Sequence, residues 1–198
     1  VVSVVTGLLA VVVVLPVAYA TVRRRSRIGE AAGAMITGGF ALPGLVVAPS
    51  LVFWALGAPG PIGALYQTTP LLVLAYVINF GALAMRTSQV AVAGVPGQMT
   101  DAARLLGAGR LRRFTRVELP LMVPGLLAAG GLVLLSTMKE LPATLLLAPP
   151  GFQTLATKIW AATEQAFLAE ASVAALVLVA LSAILTYTLV IRRATALR

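Results

Sequence analysis

Apolar residues run along this chain in long blocks rather than in alternation. Residues 1–21, 32–57, 68–86, 121–138 and 169–191 are free or nearly free of charge. Each is long enough for a membrane helix, which takes about 17–25 residues at 1.5 Å per residue. The pattern predicts five membrane helices and an all-α, polytopic transmembrane bundle, with 1–198 as one domain. Polar and helix-breaking residues punctuate the blocks. Leu42-Pro43-Gly44 and Ala48-Pro49-Ser50 interrupt 32–57, and a proline there frees carbonyls that neighbours, water or cargo must satisfy. That span is expected to be kinked, as a pathway wall or as a packing feature. Thr69-Pro70 reads as the cap and first turn of the next helix, in which Tyr76 and Asn79 are the polar exceptions. An interhelical hydrogen bond is the first role expected of Asn79, and cargo contact the second.

Beyond the fourth block, Pro142 is expected to end the helix. Leu155, Ile159 and Ala162 then mark a short amphipathic helix carrying Trp160 at the interface. Gly33, Thr37 and Gly38, and later Gly125, Ala129, Gly130 and Gly131, form small-residue surfaces suited to close helix contact.

Composition agrees with a bilayer: 60% of residues are hydrophobic and 11% charged, against about 25% charged in ordinary soluble domains. Charge then gives an orientation. All but two of the 15 Lys and Arg fall in three segments: Arg23, Arg24, Arg25 and Arg27; Arg86, Arg104, Arg110, Arg112, Arg113 and Arg116; and Arg192, Arg193 and Arg198. With five helices these segments share one side, which the positive-inside rule makes the cytoplasm. Gly60 is expected outside, and Ala108 and the C-terminus inside. Anionic lipid and an acidic protein surface account for the net charge of +9 without nucleic acid. Because the first helix would enter from outside and no Met precedes Val1, the chain reads as the C-terminal part of a longer one. With no Cys and no His, it offers no transition-metal site and no disulfide.

The loop over 94–120 carries the most specific pattern. Thr100 reads as an N-cap with Asp101 in the first turn. Ala102, Leu105 and Leu106 share one helix face, while Asp101 and Arg104 lie at ion-pairing spacing on the other. Gly107 and Gly109 allow a bend. Leu111, Phe114, Val117 and Leu121 restart an apolar stripe among Arg110, Arg112, Arg113 and Arg116, and Pro120 suits the opening turn of the next helix. The product is an elbow with one apolar and one basic side, suited to another protein's groove.

Asp101-Ala102-Ala103, three residues, Gly107, nine residues, Val117, one residue, Leu119-Pro120 resembles the cytoplasmic Glu-Ala-Ala loop of bacterial ABC import permeases. Asp101 replaces Glu and Val117 replaces Ile. Met138-Lys139-Glu140-Leu141-Pro142-Ala143-Thr144 and Thr154-Leu155-Ala156-Thr157-Lys158-Ile159-Trp160 look like segments of ferric-iron import permeases, parts of which thiamine and oxyanion permeases share. The resemblance implies a type I ABC importer permease in the bacterial inner membrane. It places two ATPase subunits carrying ATP-Mg beneath the bundle, a periplasmic substrate-binding protein above it, and a second permease half, fused upstream. It also assigns ATPase coupling to Asp101, Ala102, Ala103, Gly107, Arg110, Leu111, Phe114, Leu119 and Pro120. A path or gate is expected at Pro43, Gly44, Asn79, Lys139, Glu140 and Pro142. No cofactor is expected on this chain and no enzymatic activity: it has neither a phosphate-cradling Gly-rich loop nor a nucleophile paired with a base. An ion-gradient-driven transporter is the alternative of another class. It would place ionisable groups near the midplane, whereas Glu30, Asp101, Glu118, Glu140, Glu164 and Glu170 all fall at expected helix ends or loops.

Overall fold

The computed structural model describes residues 1–24, 26–39 and 42–188. Among them every regular element is helical. Helix α1 (Val2–Arg24), α4 (Thr69–Ala93) and α7 (Leu119–Met138) pack mutually as the central bundle. Their shared core joins Ala10, Val14 and Ala18 to Ala84, Met85 and Val92, and to Met122, Ala129 and Val133. Small residues set the spacing. A Cβ on Gly7 would stand 2.6 Å from the Gly130 carbonyl oxygen, so α1 and α7 meet backbone to backbone.

A second core caps the other half of α4. There Leu71, Leu72, Ala75 and Tyr76 meet Ala48 and Ala55 of α3 (Gly44–Gly57) and Ala143 and Leu147 of α8 (Pro142–Leu147). Helix α2 (Arg27–Gly39) lies on α1 and α4, while α9 (Leu155–Glu164) and α10 (Leu168–Thr186) pair with each other. Counting α2 with α3 as one broken span, up to five segments are long and apolar enough to cross a membrane. The outward faces of α1, α3 and α10 remain apolar, as Leu8, Val12, Phe53, Leu176 and Val179 show; lipid accepts such surfaces where water does not.

Several expected boundaries move. The block 32–57 is not one kinked helix but two, with axes inclined at 105°. Pro43 is the N-cap of α3 at φ −60°, ψ 140°, an extended conformation that cannot continue a helix. Pro49, by contrast, interrupts nothing and sits inside α3. Helix α4 runs past Arg86 to Ala93, because the polar run Thr87-Ser88-Gln89 ends a hydropathic block but not a helix; Gly94-Val95-Pro96 does that. Its N-cap is Thr68, one residue before the expected one. Pro142 does not end the fourth span. Helix α7 stops at Met138, and Pro142 opens α8 at its first turn, where its missing N–H has no partner to lose. Helix α9 forms where expected, closed by reciprocal hydrogen bonds between Thr154 and Thr157. Arg25, Arg192, Arg193 and Arg198, and with them the C-terminal part of the charge pattern, lie outside the described residues.

Candidate functional site

The elbow is built from α5 (Gly97–Leu105), a Gly107–Gly109 turn, α6 (Arg110–Arg113) and a π-helical turn over Phe114–Glu118 that runs directly into α7. Thr100 does not cap α5. Pro96, with φ −62° and ψ 130°, precedes its first residue, so the helix begins at Gly97 and Asp101 falls in its second turn. The Asp101–Arg104 ion pair forms across 3.9 Å, but both side chains are more than two-thirds exposed, and such a pair contributes little. Gly107 has φ +76°, the left-handed conformation a helix C-terminus commonly uses. Its N–H donates to the Arg104 carbonyl and the Ala108 N–H to that of Ala103. Ala103 is buried, whereas Leu105, Leu106 and Leu111 stand 89%, 88% and 76% exposed. Three leucines at the tip of a basic loop form an apolar surface that this chain leaves uncovered.

Behind that tip lies a feature the sequence did not disclose. Glu118 is 1% exposed; it accepts a hydrogen bond from Tyr19 Oη at 2.6 Å and one from Arg113 Nε at 3.2 Å. The π turn explains the second contact. Its wider winding brings residues five apart onto one side, so Arg113 faces Glu118, and it absorbs the disturbance that Pro120 makes one turn ahead. Phe114 packs edge-to-face on Tyr19 with ring centroids 5.5 Å apart, and Arg23 donates to the Val95 carbonyl at 2.6 Å. The elbow is thus fastened to α1 at both of its ends. Between them opens a cleft of about 1040 Å³ lined by Arg23, Arg24, Arg104, Arg110 and Arg113.

The residues expected along a path also converge, in part. Gly44 opens α3, Asn79 lies in α4, and Glu140 lies in the break between α7 and α8. A Cβ on Gly44 would stand 3.3 Å from Asn79 Nδ2 and 3.3 Å from Glu140 Oε1. Asn79 does not make the interhelical hydrogen bond expected of it: buried as it is, neither amide atom has a partner. Tyr76 and Thr144 make that bond instead, at 2.6 Å, and Thr144 Oγ1 also donates to the Glu140 carbonyl at 2.7 Å. Lys139 and Pro43 are exposed, and Pro142 acts through the start of α8. No group of three or more metal-ligating side chains occurs among the described residues.

Residues 8–196 match the family of binding-protein-dependent transport system inner membrane components. The chain belongs to that family. Among its relatives, the Fe(3+)-transport system permease protein FbpB 2 of Haemophilus influenzae is 34% identical over 92% of this chain and 36% of its own length. A Salmonella typhimurium protein, provisionally described as the 2-aminoethylphosphonate transport system permease PhnV, is 29% identical over 74% of this chain and 56% of its own length. The chain therefore spans little more than a third of one relative and little more than half of the other. A solved amino acid ABC transporter with histidines superposes on 98% of this chain and 87% of its own with a TM-score of 0.66 at 16% identity, which establishes a shared fold.

Within this inner-membrane family fold, the elbow residues named from sequence lie together on one loop. The Tyr19–Glu118–Arg113 junction was missed because a charged residue beside a membrane helix ordinarily faces water. The 5-residue spacing of Arg113 and Glu118 just before a Leu-Pro pair was the one signal available.

Proposed function

We propose that this chain is the permease part of an ATP-driven ABC importer that carries ferric iron handed over by a periplasmic binding protein. The observation that carries the class is the elbow: the spaced Asp101 to Pro120 pattern folds into a loop whose leucines are uncovered and whose rear is fastened to α1. Two ATPase subunits holding ATP-Mg receive that loop, a second permease half completes the pathway, and this chain does no covalent chemistry. ATP-driven closure of the ATPases moves the elbow, and α1 and α7 carry the movement into the bundle. Support for iron comes from the 34% identity with FbpB 2 across nearly the whole chain. The likeness to PhnV favours a second reading, a phosphonate cargo; thiamine and inorganic oxyanions belong with it as alternatives.

Reconstitution of the full-length permease with its ATPase and binding protein decides between them. Ferric iron should enter proteoliposomes only when ATP and the iron-loaded binding protein are both present, and calorimetry of the permease alone should show no tight iron binding. Uptake of aminoethylphosphonate with iron ignored would refute the cargo; uptake indifferent to ATP would refute the class.

The same reading puts the elbow and the C-terminus in the cytoplasm and the turn after α3 outside. Gly60 is a poor position to label, since its φ of +72° strains any side chain, but Ala64 nearby is exposed. An Ala64→Cys protein should react with an impermeant maleimide in intact cells, and Ala108→Cys only after permeabilisation. Labelling of residue 108 from outside would reverse the topology.

A further inference from the structure

The cleft between α1 and the elbow holds more positive charge than the fold uses. Five arginines line it, Arg23 and Arg24 from the end of α1 and Arg104, Arg110 and Arg113 from the elbow, and among the described residues no Asp or Glu does. Arg113 is neutralised by Glu118, and Arg104 reaches the exposed Asp101 only at 3.9 Å. Arg23 donates to a backbone carbonyl, which carries no net charge, and Arg24 and Arg110 form no ion pair among the described residues. Guanidinium groups stay protonated. Like charges that no carboxylate neutralises therefore line one opening of about 1040 Å³.

The other wall of the cleft is apolar and has a direction. Val12, Leu15, Pro16, Tyr19 and Ala20 share one face of α1, and that face ends at Arg23. From Val12 to Arg23 the helix rises about 16 Å, close to the roughly 15 Å of hydrocarbon in one leaflet. Helix α1 is long and apolar enough to span, so Val12 falls near mid-membrane and the arginines at the surface. Val12 and Pro16 stand exposed on this chain. A free anion would occupy the basic mouth and leave that wall bare. An acidic peptide would carry its backbone into hydrocarbon, where unpaired N–H and C=O groups are costly. An anionic phospholipid meets both requirements: its phosphate accepts paired N–H bonds from arginine, and its acyl chain covers the apolar wall.

We propose that the cleft between α1 and the elbow binds one anionic phospholipid, with its phosphate held by Arg23, Arg24 and Arg110 and an acyl chain along Val12, Leu15 and Pro16. Seated there, the lipid touches both α1 and the elbow beside the Tyr19–Glu118–Arg113 junction and ties the two together. The site needs α1 to cross the membrane and takes nothing from the identity of the cargo.

Lipid binding to the purified full-length permease in detergent tests it, read by native mass spectrometry and by thermal unfolding. Phosphatidylglycerol should be retained as one tight equivalent and should raise the unfolding midpoint, whereas phosphatidylcholine and inorganic phosphate at the same concentration should not. Arg24→Gln/Arg110→Gln should weaken phosphatidylglycerol binding on the order of tenfold. Val12→Trp, which fills the apolar wall, should weaken it with every arginine in place. Arg112→Gln/Arg116→Gln removes the same charge from exposed positions outside the cleft and should bind as the wild type does. Equal weakening in the two arginine pairs would reduce the effect to general surface charge and overturn the proposal. So would undiminished binding to Val12→Trp, or phosphatidylcholine or inorganic phosphate that stabilises as well as phosphatidylglycerol. Phosphatidylglycerol held by the isolated permease but lost from its complex with the ATPase would give the cleft to a protein partner and overturn the proposal too.

Discussion

A Gly107→Val permease should insert in the membrane at close to normal levels yet lose ATP-dependent uptake by an order of magnitude or more, about the effect of forcing a β-branched residue into a left-handed turn. The expectation follows from conformation rather than crowding. Nothing lies within 4 Å of the place a Cβ on Gly107 would occupy, so the side chain has room. The backbone does not: at φ +76° an L-residue bears a penalty of about 1–2 kcal/mol, which the loop escapes by reshaping the turn. Reshaping swings Leu105 and Leu106 away from Leu111 and dismantles the apolar surface at the tip, while the buried bundle is untouched. Gly109 supplies the control. It has equal room but φ −62°, where alanine is unstrained, so Gly109→Ala should transport normally. Gly107→Asn should fall between the two, because asparagine tolerates the left-handed region. The measurements are uptake in proteoliposomes and the amount of ATPase retained on purification. Equal behaviour of Gly107→Val and Gly109→Ala would defeat the conformational account.

How far such residues can be read from sequence depends on whether their signal is local. The apolar blocks found the membrane helices because burial in lipid is written in consecutive residues. The bend at Gly107 was legible too, but not that Gly107 takes the left-handed conformation while Gly109 does not. Pro43 signalled a break but not its size: proline states which dihedral it refuses, and the 105° angle between α2 and α3 is set by their packing on α4 and α8. Thr100 misled because its cap chemistry is strong, while Pro96 four residues earlier had already started the helix. Asn79, Gly44 and Glu140 were each visible as unusual residues in apolar surroundings. That they lie together depends on α3, α4 and the α7–α8 break meeting, which no local pattern encodes. Glu118 was the least legible of all, because the group that buries it, Tyr19, lies 99 residues away.

That distant contact sets up the other large effect. Arg113→Ala should destabilise the folded permease by about 3–5 kcal/mol, because it leaves the carboxylate of Glu118 buried without its cation. Glu118→Gln should cost less: the amide oxygen still accepts the Tyr19 hydroxyl, and the charge left without its partner, on Arg113, has more access to solvent than the carboxylate had. An Arg113→Leu/Glu118→Leu double variant should be more stable than Arg113→Ala alone, since two apolar side chains replace a pair whose desolvation largely offsets its attraction. Thermal unfolding of the purified proteins in detergent with added lipid gives the order, and a double variant less stable than Arg113→Ala would show that the pair stabilises outright. Coupling needs a milder change. Tyr19→Phe removes one hydrogen bond to a charged group, about 1.5–3 kcal/mol, and keeps the ring against Phe114, so the fold should hold while the elbow loses its polar tie to α1. If that tie carries movement from the ATPases into the bundle, ATP hydrolysis should continue in Tyr19→Phe with less cargo delivered per ATP. An unchanged ratio of uptake to hydrolysis would mean that the junction only holds the elbow in place, and that movement reaches the bundle through the continuous helix from Arg110 to Met138.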